Sequence, residues 1–418
     1  MSGYWREGVL DQSKDSIPGA AVVPRQPKRL LIIVNDEMSF LARRLEIARQ
    51  AAQSGFEVHV ALPSREIAAD GVDPAVETVP QTLEDAVAAG LFTFHPIRMT
   101  RGKTGLLDEL RIVFEVRRVI RSVNPDIVHQ FAMKLALFGT VAARTVRPMP
   151  YVINSFVGLG YLFAREDVIG RVVRRCYLGV YGTAARHRRV VSVFQNADNA
   201  DTVRRGAGIA RGAIRVTQGG SGVDLEKFAS SPLPSGEPVV VLAARMLWDK
   251  GIAEFVEAAK LIKARGVSAR LALVGALDAA NPAAISRAQI EEWVRTGYVE
   301  WWGLRRDMEQ VFASATVACL PSYAEGVPRS LLEAAACGRP IVTTDVSGCR
   351  DVVRHGESGL LVPARDAEAL AGAITAIISD HAMAKRMGES ARRIAESDFS
   401  IASVSQRTIE LYRDLIGP

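Results

Sequence analysis

Short, entirely apolar runs alternate with helix-forming segments along most of this chain. Residues 29–34 (RLLIIV) and 238–244 (PVVVLAA) lack the polar–apolar alternation of a strand with one solvent-facing side. Strands buried on both faces belong to parallel sheets covered by helices, and the β-α-β order over 29–62 agrees with that arrangement. We therefore predict an α/β protein. Because 418 residues exceed one ordinary domain, we predict two such domains.

The segment from Cys319 to Pro340 combines a strand end, a loop and a helix. Gly326 lets the backbone approach a ligand closely, and Pro328 suits a first helical turn because its missing N–H has no partner there. Glu325 precedes the helix and Glu333 lies in its second turn. The free N–H groups and the positive dipole end of the helix favour an anion between these carboxylates. A nucleotide sugar offers hydroxyls, a diphosphate and a ribose in that order, and we predict that the segment binds one.

Two cations follow the first strand of the second half. Arg245 comes directly after that strand and Lys250 lies five residues further on. Open parallel sheets bind ligands beyond the carboxyl ends of their strands. Arginine grips a diphosphate with two N–H groups, and lysine acts as a point charge. We therefore predict that both side chains bind the donor diphosphate.

Other kinds of site lack a signal in the sequence. The first strand is not followed by the G-x-G-x-x-G turn of dinucleotide-binding domains, which disfavours NAD and FAD. Without a D-x-D triplet, we expect no metal-bridged diphosphate, no metal ligands and no cofactor. The four cysteines have no C-x-x-C spacing, which indicates reduced thiols.

The sequence around the two glutamates resembles retaining glycosyltransferase family 4 almost throughout, including its E-x7-E motif. It reads PSYAEGVPRSLLEAAACGRPIVTTDVSGCRDVV. The resemblance extends over about 29–415. The stretches GLGYLF (158–163) and ALDAANPAAIS (276–286) resemble a branch of bacterial enzymes, N-acetylgalactosaminyltransferase-like, that act on undecaprenyl-diphosphate-linked sugars. The family has the GT-B architecture, in which two Rossmann-like parallel-sheet domains face a central cleft.

The resemblance also implies a division of the chain. We expect a disordered tail over 1–28 and an acceptor-binding domain over 29–224. A linker follows over 225–236, where SPLPSG breaks the pattern. The nucleotide-sugar domain is expected over 237–397, and a final helix within 398–418 crosses back to the first domain.

The family motif implies individual roles. Its first acid contacts hydroxyls of the donor sugar and its second binds the nucleotide ribose, which gives these roles to Glu325 and Glu333. Whether Glu325 attacks covalently stays open. His129 ends a strand in V-H-x-F-x-x-K, where many members carry a second histidine and this chain has Phe131. A site residue and a packed strand-end histidine are both open for His129.

The implied residues form three groups. The catalytic candidates are Glu325, His129, Arg245 and Lys250. The donor-binding candidates are Arg245, Lys250, Gly275, Gly303, Leu304, Glu325, Gly326, Val327, Pro328, Arg329 and Glu333. The acceptor- or membrane-binding candidates are Arg43, Arg44, Lys134, Gly158, Gly160, Arg171, Arg174 and Arg175. For Arg43 and Arg44, an ordinary place on a helix surface is the alternative.

The net charge of +6 falls wholly in residues 1–200, which hold 26 Lys and Arg against 20 Asp and Glu. An excess of this sign favours an anionic partner. Residues 163–190 alternate apolar residues with arginines, as segments that lie on an anionic membrane do. A surface helix whose arginine stems cover the core is the alternative. The first 16 residues lack the apolar run of a signal peptide, so we expect a cytoplasmic protein, peripheral at the inner face of the cytoplasmic membrane.

Taken together, these features predict a retaining, metal-independent glycosyltransferase. The expected donor is a nucleotide sugar, UDP-linked, and the expected acceptor is a lipid-linked saccharide. A nucleotide-sugar epimerase of the same fold and a non-catalytic nucleotide-sugar or membrane-binding protein are the alternatives. Aromatic residues make up only 6% of the chain and no nucleic-acid-binding module is recognisable, so we expect no nucleic-acid partner.

Overall fold

The computed structural model describes residues 27–63, 82–99, 106–159, 163, 167–217, 219–279, 281 and 283–417. The tail expected over 1–28 lies outside these residues except for its last two positions. Gly160, a candidate acceptor or membrane residue, also lies outside them.

Within the described residues, the first domain contains a seven-stranded sheet. Its strands are β1 (Arg29–Ile33), β2 (Glu57–Pro63), β3 (Thr93–Ile97), β4 (Ile127–Phe131), β5 (Tyr151–Phe156), β6 (Val190–Phe194) and β7 (Ile214–Val216). They are ordered β3-β2-β1-β4-β5-β6-β7, and neighbouring strands pair in parallel. Leu30 to Ile33 are fully buried because helices cover both faces.

The second domain contains a six-stranded parallel sheet, again within the described residues. Its strands are β8 (Val239–Ala243), β9 (Arg270–Val274), β10 (Glu300–Gly303), β11 (Val317–Leu320), β12 (Ile341–Thr344) and β13 (Gly359–Val362). The order is β10-β9-β8-β11-β12-β13. The predicted α/β architecture with two parallel-sheet domains is confirmed.

Helices pack on both faces of each sheet. Those of the first domain are α1 (Glu37–Arg43), α2 (Leu45–Gln53), α3 (Leu83–Ala88), α4 (Leu106–Val123), α5 (Met133–Arg144), α6 (Val168–Ala185) and α7 (Ala197–Ala207). Those that follow are α8 (Ile252–Ala264), α9 (Arg287–Arg295), α10 (Met308–Ala313), α11 (Arg329–Ala336), α12 (Cys349–Val352), α13 (Ala367–Ser379), α14 (His381–Ile394) and α15 (Ile401–Ile416). No helix of the described chain combines the length and apolar character needed to cross a membrane.

The last helix, α15, lies against α2 of the first domain, and its Tyr412 is fully buried there. The two chain segments between the domains run side by side, since Val223 N–H donates to the Phe399 carbonyl and Ile401 N–H donates to the Val223 carbonyl. The side chain of Arg339, fully buried in the second domain, donates to the carbonyl oxygens of residues 231 and 232. The segment predicted as a linker is therefore fastened to the second domain at these residues.

The segment between β1 and β2 forms two helices, α1 and α2, that break at Arg44. Arg44 leaves helical geometry at φ −130° and turns its side chain inward. Its guanidinium lies 4.3 Å from the centre of the Phe131 ring. A tertiary contact of this kind cannot be predicted from the helical periodicity of the sequence.

Candidate active site

The candidate active site lies at the carboxyl edge of the second sheet. Parallel strands end on the same side, so the loops after β8 to β12 meet there. These loops carry Arg245, Gly275, Gly303, Glu325 and Gly348. The structure thus brings together donor-site candidates that are up to 80 residues apart in the sequence.

Lys250 and Glu325 form an ion pair at this edge. Lys250 Nζ donates to Glu325 Oε1 at 2.8 Å, and the two side chains are only 15% and 16% exposed. Burial lowers the pKa of Lys250, but the carboxylates of Glu325 and Asp249 raise this pKa by more, so the ammonium stays charged. Gly251 permits the close packing, since its φ is +70° and a Cβ there would collide with the Pro321 carbonyl. A fixed positive charge therefore lies beside the carboxylate predicted to hold the donor sugar.

Helix α11 begins directly after this loop. Its N-cap is Pro328, whose ring cannot accept hydrogen bonds from the first-turn N–H groups. Arg329 Nε donates to Glu333 Oε1 at 2.7 Å, and Glu333 is 6% exposed. The two glutamates of the motif therefore flank the positive end of this helix, as the sequence indicated.

Arg245 lies half exposed in the loop after β8. Its Nη1 donates to Asp278 Oδ2 at 2.7 Å. Sequence reasoning missed this partner, because Asp278 lies 33 residues away and no local pattern connects the two positions. The structure therefore provides a second cation at the same edge as Lys250.

Gly275 and Gly303 bring the backbones of two neighbouring loops together. Gly275 N–H donates to the Gly303 carbonyl at 2.8 Å, and Trp301 Nε1 donates to the Gly275 carbonyl at 3.1 Å. A Cβ at position 275 would collide with the Ala244 carbonyl, which explains the requirement for glycine. Leu304 follows as an exposed apolar side chain. These bonds fix the two loops side by side, with the apolar Leu304 side chain exposed next to them.

On the side of the first domain, His129 is the middle residue of β4, not its last residue as the sequence predicted, and is 3% exposed. Its Nδ1 is 2.6 Å from the Tyr412 hydroxyl and its Nε2 is 2.7 Å from the Ser155 hydroxyl. Burial, together with the Arg44 cation, lowers the pKa of His129 well below its ordinary value. The imidazole is therefore neutral at pH 7, and both ring nitrogens bond to side chains of this chain.

Arg44 is buried beside His129, whereas Arg43 is exposed. Burial is the main cause that lowers the pKa of Arg44 to about 9, which leaves the guanidinium charged at pH 7. Arg44, His129, Ser155 and Gln195 help to line a cavity of about 40 Å³ against α15. The sequence left open whether each of these arginines lies on a helix surface, and the structure shows that Arg44 does not.

The two domains touch at the donor loop. Asn196 Nδ2 donates to the Gly326 carbonyl at 3.0 Å. A Cβ at position 326 would collide with the Val157 carbonyl, and Gly158 is the next residue of that loop. Asn196 also caps α7, since its side-chain oxygen accepts a hydrogen bond from the Asn199 N–H. The carboxyl edges of both sheets therefore face one cleft.

The remaining candidates lie on helices α5 and α6 of the first domain. Arg171 and Arg175 are exposed on α6, whereas Arg174 donates to the Phe163 carbonyl at 3.1 Å and is half-buried. Lys134 is half-buried in the first turn of α5. Among the described residues, no group of three or more His, Cys, Asp or Glu side chains is arranged to hold a metal ion.

Two family models match the chain. A "Glycosyl transferase 4-like" model matches residues 29–175, and a "Glycosyl transferases group 1" model matches residues 237–380. The matched segments lie one in each domain of the structure.

Relatives and solved structures agree with these models. The chain is 29% identical to N,N'-diacetylbacillosaminyl-diphospho-undecaprenol alpha-1,3-N-acetylgalactosaminyltransferase from Campylobacter jejuni, over 73% of this chain and 82% of that protein. It is 22% identical to UDP-Gal:alpha-D-GlcNAc-diphosphoundecaprenol alpha-1,3-galactosyltransferase from Escherichia coli, over 74% and 81%.

Two solved structures share the fold. Sucrose-phosphate synthase from Thermosynechococcus elongatus has a TM-score of 0.72 at 20% identity, over 93% of this chain and 99% of that chain. HepE from Anabaena, solved in complex with UDP, has a TM-score of 0.70 at 18% identity, over 92% and 100%. Since glycosyltransferase models match both domains and the two domains form a GT-B fold, this chain belongs to the GT-B glycosyltransferases of the family 4 type.

Proposed function

We propose that this glycosyltransferase moves an N-acetylhexosamine or hexose from a UDP-sugar to a saccharide linked to polyprenyl diphosphate, with retention of the anomeric configuration. The reaction serves bacterial polysaccharide or glycan assembly. The observation that carries the proposal is the contact between Lys250 and Glu325, which lies at the same edge as Arg245 and the first turn of α11. This edge offers positive charge for a diphosphate directly beside a carboxylate for sugar hydroxyls.

The difficult step is departure of the diphosphate, on which negative charge grows. Charges and dipoles fixed in advance at that place give the largest stabilisation in many enzymes. Lys250, Arg245 and the first-turn N–H groups of α11 supply them without a metal ion in this proposal. Glu325 holds the sugar hydroxyls so that the acceptor attacks from the face that the diphosphate leaves. Glu333 takes the ribose.

The donor nucleotide is proposed from two findings. The Escherichia coli relative is named for UDP-galactose, and HepE was solved with UDP. The uracil ring is proposed to lie beside the loops that Gly275 and Gly303 hold together. Since the relatives cited above are glycosyltransferases, the epimerase alternative is disfavoured.

The acceptor is proposed to arrive from a membrane surface beside the cleft. Phe114 on α4 is 67% exposed and Ile169 on α6 is 63% exposed, and Val168, Val172 and Val173 are also exposed. Both helices pack against α5. Helices of β-α-β units run antiparallel to the strands, so the first turns of α6, which carry Ile169, lie near the carboxyl edge that forms the cleft, and Phe114 lies midway along α4. Exposed apolar side chains with Arg171 and Arg175 suit an anionic membrane, and peripheral binding at its cytoplasmic face is part of the proposal.

The test is a transfer assay with UDP-GalNAc, UDP-GlcNAc, UDP-Gal and UDP-Glc, each offered with an undecaprenyl-diphosphate-linked N-acetylhexosamine. We expect a product heavier by one sugar from one of these donors, detected by mass spectrometry. Isomerised UDP-sugar without transfer would instead favour the epimerase. Binding of UDP without any turnover would favour a non-catalytic protein.

A further inference from the structure

Arg245 forms an ion pair with a carboxylate that has no role in the proposed reaction. Its Nη1 contacts Asp278 Oδ2 at 2.7 Å across the loops that follow β8 and β9. These loops are fixed to each other, since Met246 N–H donates to the Ala276 carbonyl and Ile285 N–H donates to the Met246 carbonyl. Asp278 therefore stays next to Arg245 whether or not a nucleotide is bound.

The two cations of the donor site differ in how easily their partners are exchanged. The Arg245 and Asp278 side chains are 48% and 27% exposed, against 15% and 16% for Lys250 and Glu325. Exposed ion pairs contribute only about 0.2–1 kcal/mol. A diphosphate carries more charge and accepts two N–H groups of one guanidinium, so it replaces such a carboxylate readily. The displaced carboxylate then remains within reach of Arg245 and competes with the diphosphate for its guanidinium.

We propose that Asp278 is a competing counter-ion, which weakens nucleotide binding by contesting Arg245 and thereby speeds release of the nucleoside diphosphate. The inference rests on the proposed function, because it requires Arg245 to bind the donor diphosphate. Lys250 keeps its less exposed partner throughout, while Arg245 alternates between Asp278 and the ligand. Lys250 thus keeps one partner in the donor site, whereas Arg245 pairs with Asp278 again when the product leaves.

The test is Asp278→Asn, which removes the charge and keeps the size and an accepting oxygen. We expect the dissociation constant for UDP, measured by calorimetry, to fall about 1.4-fold to fivefold, which corresponds to the energy of an exposed pair. The dissociation rate in stopped-flow displacement should fall by a similar factor. Glu368→Gln is the matched control, because Glu368 pairs with Arg265 just beyond the last residue of α8, far from the cleft. Unchanged or weaker UDP binding in Asp278→Asn would overturn the inference.

The gain in UDP affinity must also depend on Arg245. In an Arg245→Ala background, Asp278→Asn should leave UDP affinity unchanged. A gain that persists there would mean general repulsion, and competition for Arg245 would be wrong. If Arg245→Ala alone does not weaken UDP binding, the proposed donor site itself is wrong. If Arg245→Ala weakens binding and Asp278→Asn has no effect, only the present inference fails.

Discussion

Replacing Glu333 by alanine should remove ribose recognition while leaving the fold intact. Glu333 is 6% exposed, so hydrogen bonds from ribose hydroxyls to its carboxylate are shielded from water. Hydrogen bonds to a charged group are worth about 1.5–3 kcal/mol, which corresponds to UDP binding about tenfold to 150-fold weaker. The carboxylate is also buried in its pair with Arg329, so the melting temperature should fall as well, and binding is compared at a temperature where both proteins are folded.

Calorimetry with UDP and 2′-deoxy-UDP checks this reasoning. The unaltered chain should bind the deoxy ligand more weakly, and Glu333→Ala should bind both ligands alike. Glu257→Ala is the control, because it breaks an exposed helix pair with Lys260 at 2.8 Å. The ribose assignment is refuted if Glu333→Ala still discriminates against the deoxy ligand, or if its UDP affinity equals that of the unaltered chain.

Three further results are expected. Gly326→Ala should lower both turnover and melting temperature, because its Cβ would collide with the Val157 carbonyl; unchanged turnover would contradict the domain contact. Burial depresses the pKa of His129 in the folded chain. As the pH falls below about 6.5, the histidine is therefore protonated in the unfolded chain before it is protonated in the folded one. The free energy of unfolding should therefore fall from pH 7 to pH 5, and it should fall less steeply in His129→Gln. Equal slopes against pH in the two proteins would contradict the buried neutral state. Phe114→Asp with Ile169→Asp should reduce cosedimentation with phosphatidylglycerol vesicles at least tenfold, whereas the exposed C-terminal-domain control, Val294→Asp, should bind as before.

The parallel sheets were predictable because burial on both faces forces apolar strands. The helix after Glu325 was predictable for a local reason, since Pro328 and the glycine and proline after Ala336 mark its two ends. The positions of Arg245 and Lys250 followed from where parallel strands end.

Other parts of the site depend on contacts through space. The break at Arg44 comes from stacking on Phe131, which is 87 residues away. The Asp278 partner of Arg245 and the Tyr412 partner of His129 belong to distant segments, so no sequence spacing indicates them. The structure shows His129 buried and hydrogen-bonded at both ring nitrogens, and its role in the site stays a prediction.

The central claim is that fixed protein cations, rather than a metal ion, carry the departing diphosphate in a retaining transfer. The measurement is the turnover number in EDTA for the unaltered chain and for Lys250→Met, with the product anomer assigned by NMR. The account predicts an anomer identical to that of the donor, no effect of EDTA, and a turnover number about 10²- to 10³-fold lower in Lys250→Met. Loss of activity in EDTA, an inverted anomer, or full turnover in Lys250→Met would contradict it.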